Sequence, residues 1–134
     1  MTDICRVLVG QASFRSGGGV DESVIVDAER QLGLRFAKDY REYLATLGTA
    51  RYYGHELTGL NCARYLDVVA ATTEGREIYP DVPSNCYVIE EAQIDGITYW
   101  QDASGAVYKV MPNGRPAKCY SSLAQYIKGT AASA

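Results

Sequence analysis

The residues that could support catalysis are few, and they centre on one histidine. His55 is the only histidine in the chain, and Glu56 follows it directly. A nucleophilic serine or cysteine is normally activated by a neighbouring base, so a pair of this kind would have to be built around His55. No serine stands in the Gly-x-Ser-x-Gly pattern of a strand-to-helix nucleophile turn. The sequence therefore predicts that the protein is not an enzyme, with a small hydrolase as a remote alternative.

A second kind of acid–base chemistry would need two carboxylates that face each other, and the adjacent pair Glu90 and Glu91 is the obvious candidate. The pair lies in a stretch that alternates like a β-strand. Successive side chains of a strand point to opposite faces of the sheet. The two residues are therefore not expected to form a carboxylate pair by themselves.

The cysteines and the N-terminal segment both favour a reducing compartment. The cysteines are far apart and form no Cys-x-x-Cys motif; they are Cys5, Cys62, Cys86 and Cys119. Disulfide frameworks occur in small secreted chains of higher cysteine density, and a zinc site needs several ligands at characteristic spacing. We expect reduced, mostly buried thiols with no metal and no cofactor. The N-terminus lacks a basic lead-in with an apolar run behind it, so we also expect a cytoplasmic protein.

Charge is distributed unevenly along the 134 residues, although the net charge is only −3. Residues 65–108 contain eight acids and a single arginine, a net charge of −7. Residues 109–134 contain four basic residues and no acid, a net charge of +4. Nucleic-acid binding needs clustered Lys and Arg, so the acidic middle argues against a nucleic-acid partner. It suits a basic protein partner, and the alternative is an acidic surface that aids solubility.

Aromatic residues supply a second property of protein-binding surfaces. Eleven tyrosines and one tryptophan are many for this length, and both residue types are favoured at binding hot spots. Tyr52 and Tyr53 lie in a glycine-punctuated loop, where we expect partial exposure. If Ile97 faces the helices, Trp100 lies on the open face of the sheet. Burial of Trp100 in the core is an equal alternative.

Apolar spacing and capping residues predict four helices before the main strands. Asp21 precedes a helix whose apolar side chains share one face, and Gly33 ends that helix. The next two helices cover about residues 37–47 and 67–78. A short helix over residues 4–13 precedes all three.

The hydrophobic period then changes to two, which is typical of strands. Three alternating stretches are separated by turn-forming residues, so they predict successive antiparallel strands; they are residues 86–91, 97–101 and 106–111. Residues 51–61 indicate a loop with a short strand near residues 56–58, and a last helix covers residues 123–128. No apolar run is long enough to span a membrane.

The elements together predict a single α+β domain over residues 1–134, with its core at about residues 20–128 and a flexible tail at residues 129–134. Their order resembles that of the SUKH superfamily, the Smi/Knr-like proteins, over about residues 20–128. The resemblance depends on packing and turn residues taken in order; among them are Glu29, Leu32, Gly33, Asp39, Tyr40, Tyr43, Leu44, Gly54, Leu57, Gly59, Leu60, Asp67, Val68, Val69, Thr72, Arg76, Tyr87, Tyr99, Trp100, Asp102, Gly105, Tyr108, Tyr120, Leu123, Tyr126 and Ile127. The family usually has proline at the start of the helix that here covers about residues 37–47, where this chain has Ala37. Proline there is helpful but dispensable.

The resemblance implies an α+β fold with helices packed against a curved, mainly antiparallel β-sheet. Many bacterial members of the family look like cytoplasmic immunity proteins, which neutralise a toxin domain, often a nuclease or another nucleic-acid-directed toxin, by stoichiometric binding. The expected partner is then the C-terminal toxin domain of a secreted effector, and a non-toxin adaptor or regulatory scaffold is the alternative. We expect the contact surface on the helix at about residues 67–78 and on the hairpins, at Glu74, Glu77, Asp81, Glu90, Glu91, Asp95, Trp100, Asp102, Tyr52 and Tyr53.

Overall fold

A computed structural model describes residues 2–92 and 95–132 of the chain. Five α-helices lie within these residues: α1 (Asp3–Val9), α2 (Glu22–Leu32), α3 (Lys38–Thr46), α4 (Val68–Ile78) and α5 (Leu123–Ala132). A single turn of 3-10 helix, Arg64–Leu66, leads into α4. Helices α2, α3 and α4 follow the sequence-based positions closely, and α5 begins where expected, whereas α1 is shorter than expected and ends before Gly10.

The strands form one seven-stranded antiparallel sheet whose spatial order follows the chain. They are β1 (Arg15–Ser16), β2 (Ala50–Tyr52), β3 (His55–Leu57), β4 (Tyr87–Glu91), β5 (Thr98–Gln101), β6 (Val107–Val110) and β7 (Ala117–Tyr120). Each strand pairs with the next one along the chain, so the described sheet is an open meander with β1 and β7 at its edges. The expected α+β class, helices packed against an antiparallel sheet, is confirmed.

Capping residues set the start of α4 and the end of α2 where the sequence predicts them, whereas the Asp21 side chain makes no capping hydrogen bond to α2. Asp67 lies directly before α4, and its Oδ1 accepts hydrogen bonds from the backbone N–H groups of Val69 (2.8 Å) and Ala70 (3.1 Å). Such bonds satisfy N–H groups that have no partner inside the helix. Gly33 ends α2 in the left-handed conformation, with φ of +67°, which glycine adopts without a Cβ penalty.

Helices cover both faces of the sheet, and this decides where Trp100 lies. The larger core joins α1, α2, α3 and α5 to one face. A second, smaller core lies beneath α4 on the other face, and it consists of Ala71, Cys86, Val88, Trp100 and Val110. Trp100 is fully buried there, and a Cβ on Gly75 of α4 would lie only 2.7 Å from its ring. The expectation of an open sheet face carrying Trp100 is therefore wrong.

Three further parts of the fold differ from the sequence-based expectation. β2 has only three residues next to a glycine turn, and β7 follows Pro116 with three of its four residues exposed, so neither shows a strand pattern. α5 continues through Ala132, and the expected tail at residues 129–132 is helical. The last turn is held by Thr130, whose hydroxyl lies 2.8 Å from the hydroxyl of Tyr52. Residues 133 and 134 of that expectation lie outside the described residues.

Candidate partner-binding site

Three of the ten expected contact residues lie in the interior. Tyr52 and Trp100 have no exposed surface, and Glu90 is 3% exposed. A side chain with no exposed surface cannot dock against a rigid partner, so the structure corrects the assignment of Tyr52 and Trp100 to a contact surface. Glu90 can be reached only by a side chain that enters the cleft it lines. Tyr52 is buried because it belongs to β2, where it alternates with the exposed Arg51, and not to a loop.

The other expected contact residues reach the surface, but they do not form a single face. Glu74 and Glu91 line one shallow cavity together with Tyr65. Asp81 and Asp102 line a different cavity. The remaining acids, Glu77 and Asp95, are exposed and line neither cavity. The acidic face expected from the sequence is therefore divided.

A cleft of about 330 Å³ lies next to the cavity of Glu74 and Glu91, between the β2–β3 turn, the 3-10 turn and the end of β4. We call it the acidic cleft. Its lining residues are Tyr53, Gly54, His55, Glu56, Thr58, Tyr65, Leu66, Glu90, Glu91 and Ala92. Glu91 and Tyr65 belong to both cavities, so the two form a continuous surface.

The β2–β3 turn holds a tyrosine at the mouth of the acidic cleft. The turn consists of Tyr53 and Gly54, whose φ angles are +47° and +80°. Hairpins of this kind match the twist of their strands and usually carry Asn-Gly. A residue with a Cβ adopts this conformation only at a cost in free energy. The Tyr53 side chain nevertheless stands there, 47% exposed.

An irregularity in β4 turns Glu90 toward the floor of the cleft. Val88 pairs with Trp100, and Glu90 pairs with Tyr99, so Ile89 between them is an extra residue in the ladder. A β-bulge of this kind shifts the alternation of the side chains that follow it. Glu90 consequently shares a face with Tyr99 and α5, whereas regular alternation would have put it on the α4 face.

Glu90 forms the floor of the cleft as a buried carboxylate held from two sides. Its Oε2 lies 2.9 Å from His55 Nδ1, and the Tyr126 hydroxyl donates to its Oε1. The imidazole of His55 stacks on the ring of Tyr52, with ring centroids 5.0 Å apart. Burial, together with the nearby charge of Glu90, raises the pKa of Tyr126 well above its ordinary value. The hydroxyl therefore remains a donor, and the floor joins the β2–β3 hairpin to α5.

The rim of the cleft combines an exposed ring with further carboxylates. Tyr65 is 60% exposed, and its hydroxyl donates to Glu56 Oε2 at 3.0 Å. Arg64 reaches away from the cleft to Glu74, with Nη2 and Oε1 3.0 Å apart. Burial raises the pKa of Glu91, and the negative charge of Glu74 raises it further. The rim thus presents the ring of Tyr65 and the carboxylate of Glu91, whose charged form is disfavoured by the nearby charge of Glu74.

Three of the cleft residues were expected at a contact surface, Tyr53, Glu90 and Glu91, whereas sequence reasoning missed the others. The contact between His55 and Glu90 joins residues 35 positions apart, and it depends on a strand register that the sequence does not display. Tyr65 lies in a segment without hydrophobic period. The signal that could have identified it is simply an aromatic residue outside any regular element.

Each of two larger cavities contains a carboxylate that already has a partner. In the groove of about 650 Å³ between α2 and α4, Asp27 pairs with Arg30 at 2.8 Å, and Asp67 caps α4. In the cavity of about 610 Å³, the Asp102 carboxylate accepts a hydrogen bond from the Tyr108 hydroxyl at 2.9 Å. Burial would raise the pKa of Asp102, but hydrogen bonds from Ser104 and Tyr108 outweigh it and lower the pKa. The acidic cleft has three carboxylates and no Lys or Arg among its described lining residues, whereas Arg115 lines the second of these cavities.

The chemistry available to the cleft is recognition of a cation. The hydroxyl of Thr58 is already used, because it donates to the Val88 carbonyl at 2.8 Å and contacts the Tyr40 hydroxyl.

Over residues 2–92 and 95–132, no three His, Cys, Asp or Glu side chains come together as a metal site. All four cysteines are free thiols; Cys5 and Cys86 are buried and Cys119 is exposed. Among the described helices, none has the length and apolar character needed to cross a membrane.

Comparison with known protein families identifies a family for most of the chain. Residues 10–130 match the family SUKH_5, which is described as SMI1-KNR4 cell-wall. The matched range runs from the segment before β1 into the last turns of α5, so it contains the whole sheet and the acidic cleft. A search of curated proteins found no match to this chain.

Proposed function

Since the chain belongs to the SMI1-KNR4 family of the SUKH superfamily, we propose that it is a bacterial immunity protein that binds and neutralises a toxin domain. In this proposal the protein acts in the cytoplasm, and its partner is the C-terminal toxin domain of a secreted effector delivered by a neighbouring cell. The toxin is a nuclease or another toxin directed at nucleic acid. Neutralisation is stoichiometric and involves no catalysis.

The observation that carries the proposal is the composition of the surface around the acidic cleft. Exposed tyrosines and carboxylates lie together there, beside the half-buried Glu56; they are Tyr53, Tyr65, Glu74 and Glu91. Toxins that act on nucleic acid need basic surfaces to hold phosphates, and an acidic surface competes for them. Complementary charge also speeds association toward about 10⁸–10⁹ M⁻¹s⁻¹, which suits a protein that has to act before damage occurs. Tyrosines supply affinity as hot-spot side chains.

The arrangement of His55 also supports binding over catalysis. Its Nδ1 contacts the buried Glu90, an arrangement that orients the base in many hydrolases. A hydrolase would also place a nucleophilic hydroxyl or thiol against the imidazole. Among the cleft residues that the structure describes, Thr58 is bonded elsewhere, and the two tyrosines are exposed at the mouth and rim. A stoichiometric binder needs no such nucleophile.

A rescue assay tests the proposal. The C-terminal domain of the large secreted protein encoded beside this chain is induced in a susceptible host, and survivors are counted with and without the chain. We expect rescue by the wild-type protein. The double variant Glu74→Lys and Glu91→Lys changes two exposed carboxylates, and we expect at least about tenfold fewer survivors, because like charges would then face a basic partner. Glu90 stays unchanged, since it is buried.

A matched control carries the same charge change away from the cleft. The double variant Glu77→Lys and Asp81→Lys also alters two exposed acids, neither of which lines the acidic cleft, and we expect it to rescue like wild type. Equal loss in both double variants would mean that overall charge matters, and not the cleft. Absence of rescue by the wild-type protein would contradict the immunity proposal and favour the non-toxin adaptor.

A further inference from the structure

We propose that the acidic cleft receives one arginine side chain of the bound partner, with the guanidinium group against Glu90 and between the rings of Tyr53 and Tyr65. The inference rests on the proposed function only in taking the partner to be a basic protein. It goes further by naming the chemical group that the cleft recognises. The size of the cleft, its charge and its aromatic walls each support it.

The size of the cleft suits a single long side chain. Its volume is about 330 Å³, which is near the lower end of the roughly 300–1,000 Å³ found for ligand pockets. A helix or a folded loop of the partner would not fit into this space. The β2–β3 turn and the 3-10 turn stand on its two sides, so a side chain would enter between them.

The charge of the cleft suits a cation. Three of its described lining residues are carboxylates, Glu56, Glu90 and Glu91, and none is Lys or Arg. The nearest recorded arginine contact is with Glu56, whose Oε2 lies 3.8 Å from Arg51 Nε. Burial disfavours the charged form of Glu91, and the negative charge of Glu74 disfavours it further. An arriving cation would lower this repulsion and would meet the buried carboxylate of Glu90, where low dielectric strengthens the attraction.

The walls of the cleft favour a guanidinium over an ammonium group. A guanidinium is planar, so it stacks on aromatic rings while its edge donates to a carboxylate. Lysine carries a compact and strongly hydrated charge, which loses more hydration on entry and makes no planar stack. Tyr53 and Tyr65 both line the cleft, and cations over tyrosine rings gain about 0.5–1 kcal/mol at exposed sites, a factor of roughly two to five in affinity.

The fold accounts for the floor of the cleft but not for its mouth. The contacts of Glu90 with His55 and Tyr126 hold the hairpin against α5, and stability alone would explain them. Tyr53 and Tyr65 take part in neither core cluster of the described residues. Each presents about half of its surface or more to solvent, so both rings remain free to contact a ligand.

A titration observed at His55 tests the inference without the toxin. His55 is the only histidine and lines the cleft. One pair of carbon-bound imidazole proton signals in NMR spectra therefore reports changes around this ring and its contact with Glu90. The probe is the peptide acetyl-Gly-Arg-Gly-amide, added to tens of millimolar at constant ionic strength. The control peptide has citrulline, a neutral isostere of arginine. We expect a saturable shift with arginine and about tenfold weaker binding with citrulline, because charge-assisted hydrogen bonds are roughly twice as strong as neutral ones.

Exposed-residue variants locate the binding without disturbing the fold. Tyr65→Ala and Glu91→Gln each change an exposed cleft residue, and we expect both to weaken the arginine peptide several-fold. Glu77→Gln changes an exposed acid outside the cleft and should leave binding within about twofold. The inference is overturned if arginine and citrulline peptides give the same response, if no saturable shift occurs, or if Glu77→Gln weakens binding as much as Glu91→Gln.

The titration and the rescue assay fail independently. Binding of the arginine peptide without rescue would leave the cleft as an arginine site and would reject the toxin as the partner. Rescue without binding of the peptide would keep the immunity proposal and would reject arginine as the group that the cleft recognises. Neither result therefore hides the other.

Discussion

Two polar clusters lie against the same face of the sheet, and they differ in whether they open to the acidic cleft. The closed cluster consists of Tyr87, Gln101 and Asp39. The open cluster consists of Glu90, His55 and Tyr126. The closed cluster uses its polar groups inside the protein, whereas the open cluster ends at the acidic cleft. The comparison separates polar residues that serve the fold from polar residues that also face the cleft where we propose that a partner binds.

The closed cluster leaves Gln101 no free hydrogen-bonding group. The Tyr87 hydroxyl accepts from the backbone N–H of Ala37 at 2.9 Å and donates to Gln101 Oε1 at 2.6 Å. Gln101 Nε2 donates to Asp39 Oδ1 at 3.1 Å and to the Gly105 carbonyl at 3.0 Å. Asp39 also accepts from the first N–H of α5 at 2.9 Å. A fully bonded network of this kind fixes α3, β4, β5 and α5 in one arrangement.

The open cluster differs in its access to the cleft and not in the number of its hydrogen bonds. Each oxygen of Glu90 has one recorded contact, and so has each oxygen of Asp39, but Glu90 lines the acidic cleft. The His55 side chain is 29% exposed, so water reaches this end of the cluster. A change of charge should therefore be tolerated here and not in the closed cluster.

The largest effect is expected from Gln101→Glu, which changes the closed cluster with almost no change of shape. The new carboxylate cannot donate to Asp39 or to the Gly105 carbonyl, and it would stand about 3.1 Å from the Asp39 carboxylate. An uncompensated buried charge of this kind destabilises a protein by roughly 3–5 kcal/mol. Urea unfolding measures the loss. A variant as stable as the wild type would show that the cluster is not closed.

The mirrored substitution, Glu90→Gln in the open cluster, is expected to change stability by only about 1 kcal/mol. The glutamine carbonyl can still accept from Tyr126, and its amide can donate to His55 Nδ1, so the loss is the difference between charged and neutral hydrogen bonds. Binding of the arginine peptide should fall about tenfold. A loss of stability as large as that of Gln101→Glu would show that Glu90 serves the fold alone.

Much of the fold could be predicted because the signals for it are local. Asp67 caps α4 through its own neighbours, and Gly33 ends α2 through its own φ angle. The burial of Trp100 could not be predicted in this way. It depends on the absence of a side chain at Gly75, 25 positions earlier, where α4 approaches the ring. Contacts of this range appear only when the packing of helix on strand is known.

The candidate site was predictable in composition but not in arrangement. Acidic and aromatic residues are visible in the sequence, and Tyr53 and Glu91 do reach the cleft. The bulge at Ile89 is not visible, because a run of strand-forming residues looks the same with or without it. Without the bulge, Glu90 would face α4, and the cleft would have no carboxylate at its floor.

The smallest effect is expected from Tyr53→Asn, and its sign distinguishes fold from function within the open region. Tyr53 has φ of +47°, and asparagine tolerates this left-handed conformation better than other residues with a side chain of its size. We expect the variant to be more stable by about 0.5–1 kcal/mol, since a left-handed residue costs roughly 1–2 kcal/mol. Thermal unfolding would register this as a rise of a few degrees. Binding of the arginine peptide should weaken, because one ring of the cleft is lost.

Tyr65→Asn is the matched control, since it makes the same change at a residue without a positive φ angle. It should weaken the peptide in the same way without raising stability. An unchanged melting temperature for Tyr53→Asn would show that the turn is not strained, and unchanged binding would remove Tyr53 from the contact surface. Opposite signs for stability and binding at this one position would mean that the tyrosine is retained for contact at the expense of stability, as is common where function and stability compete.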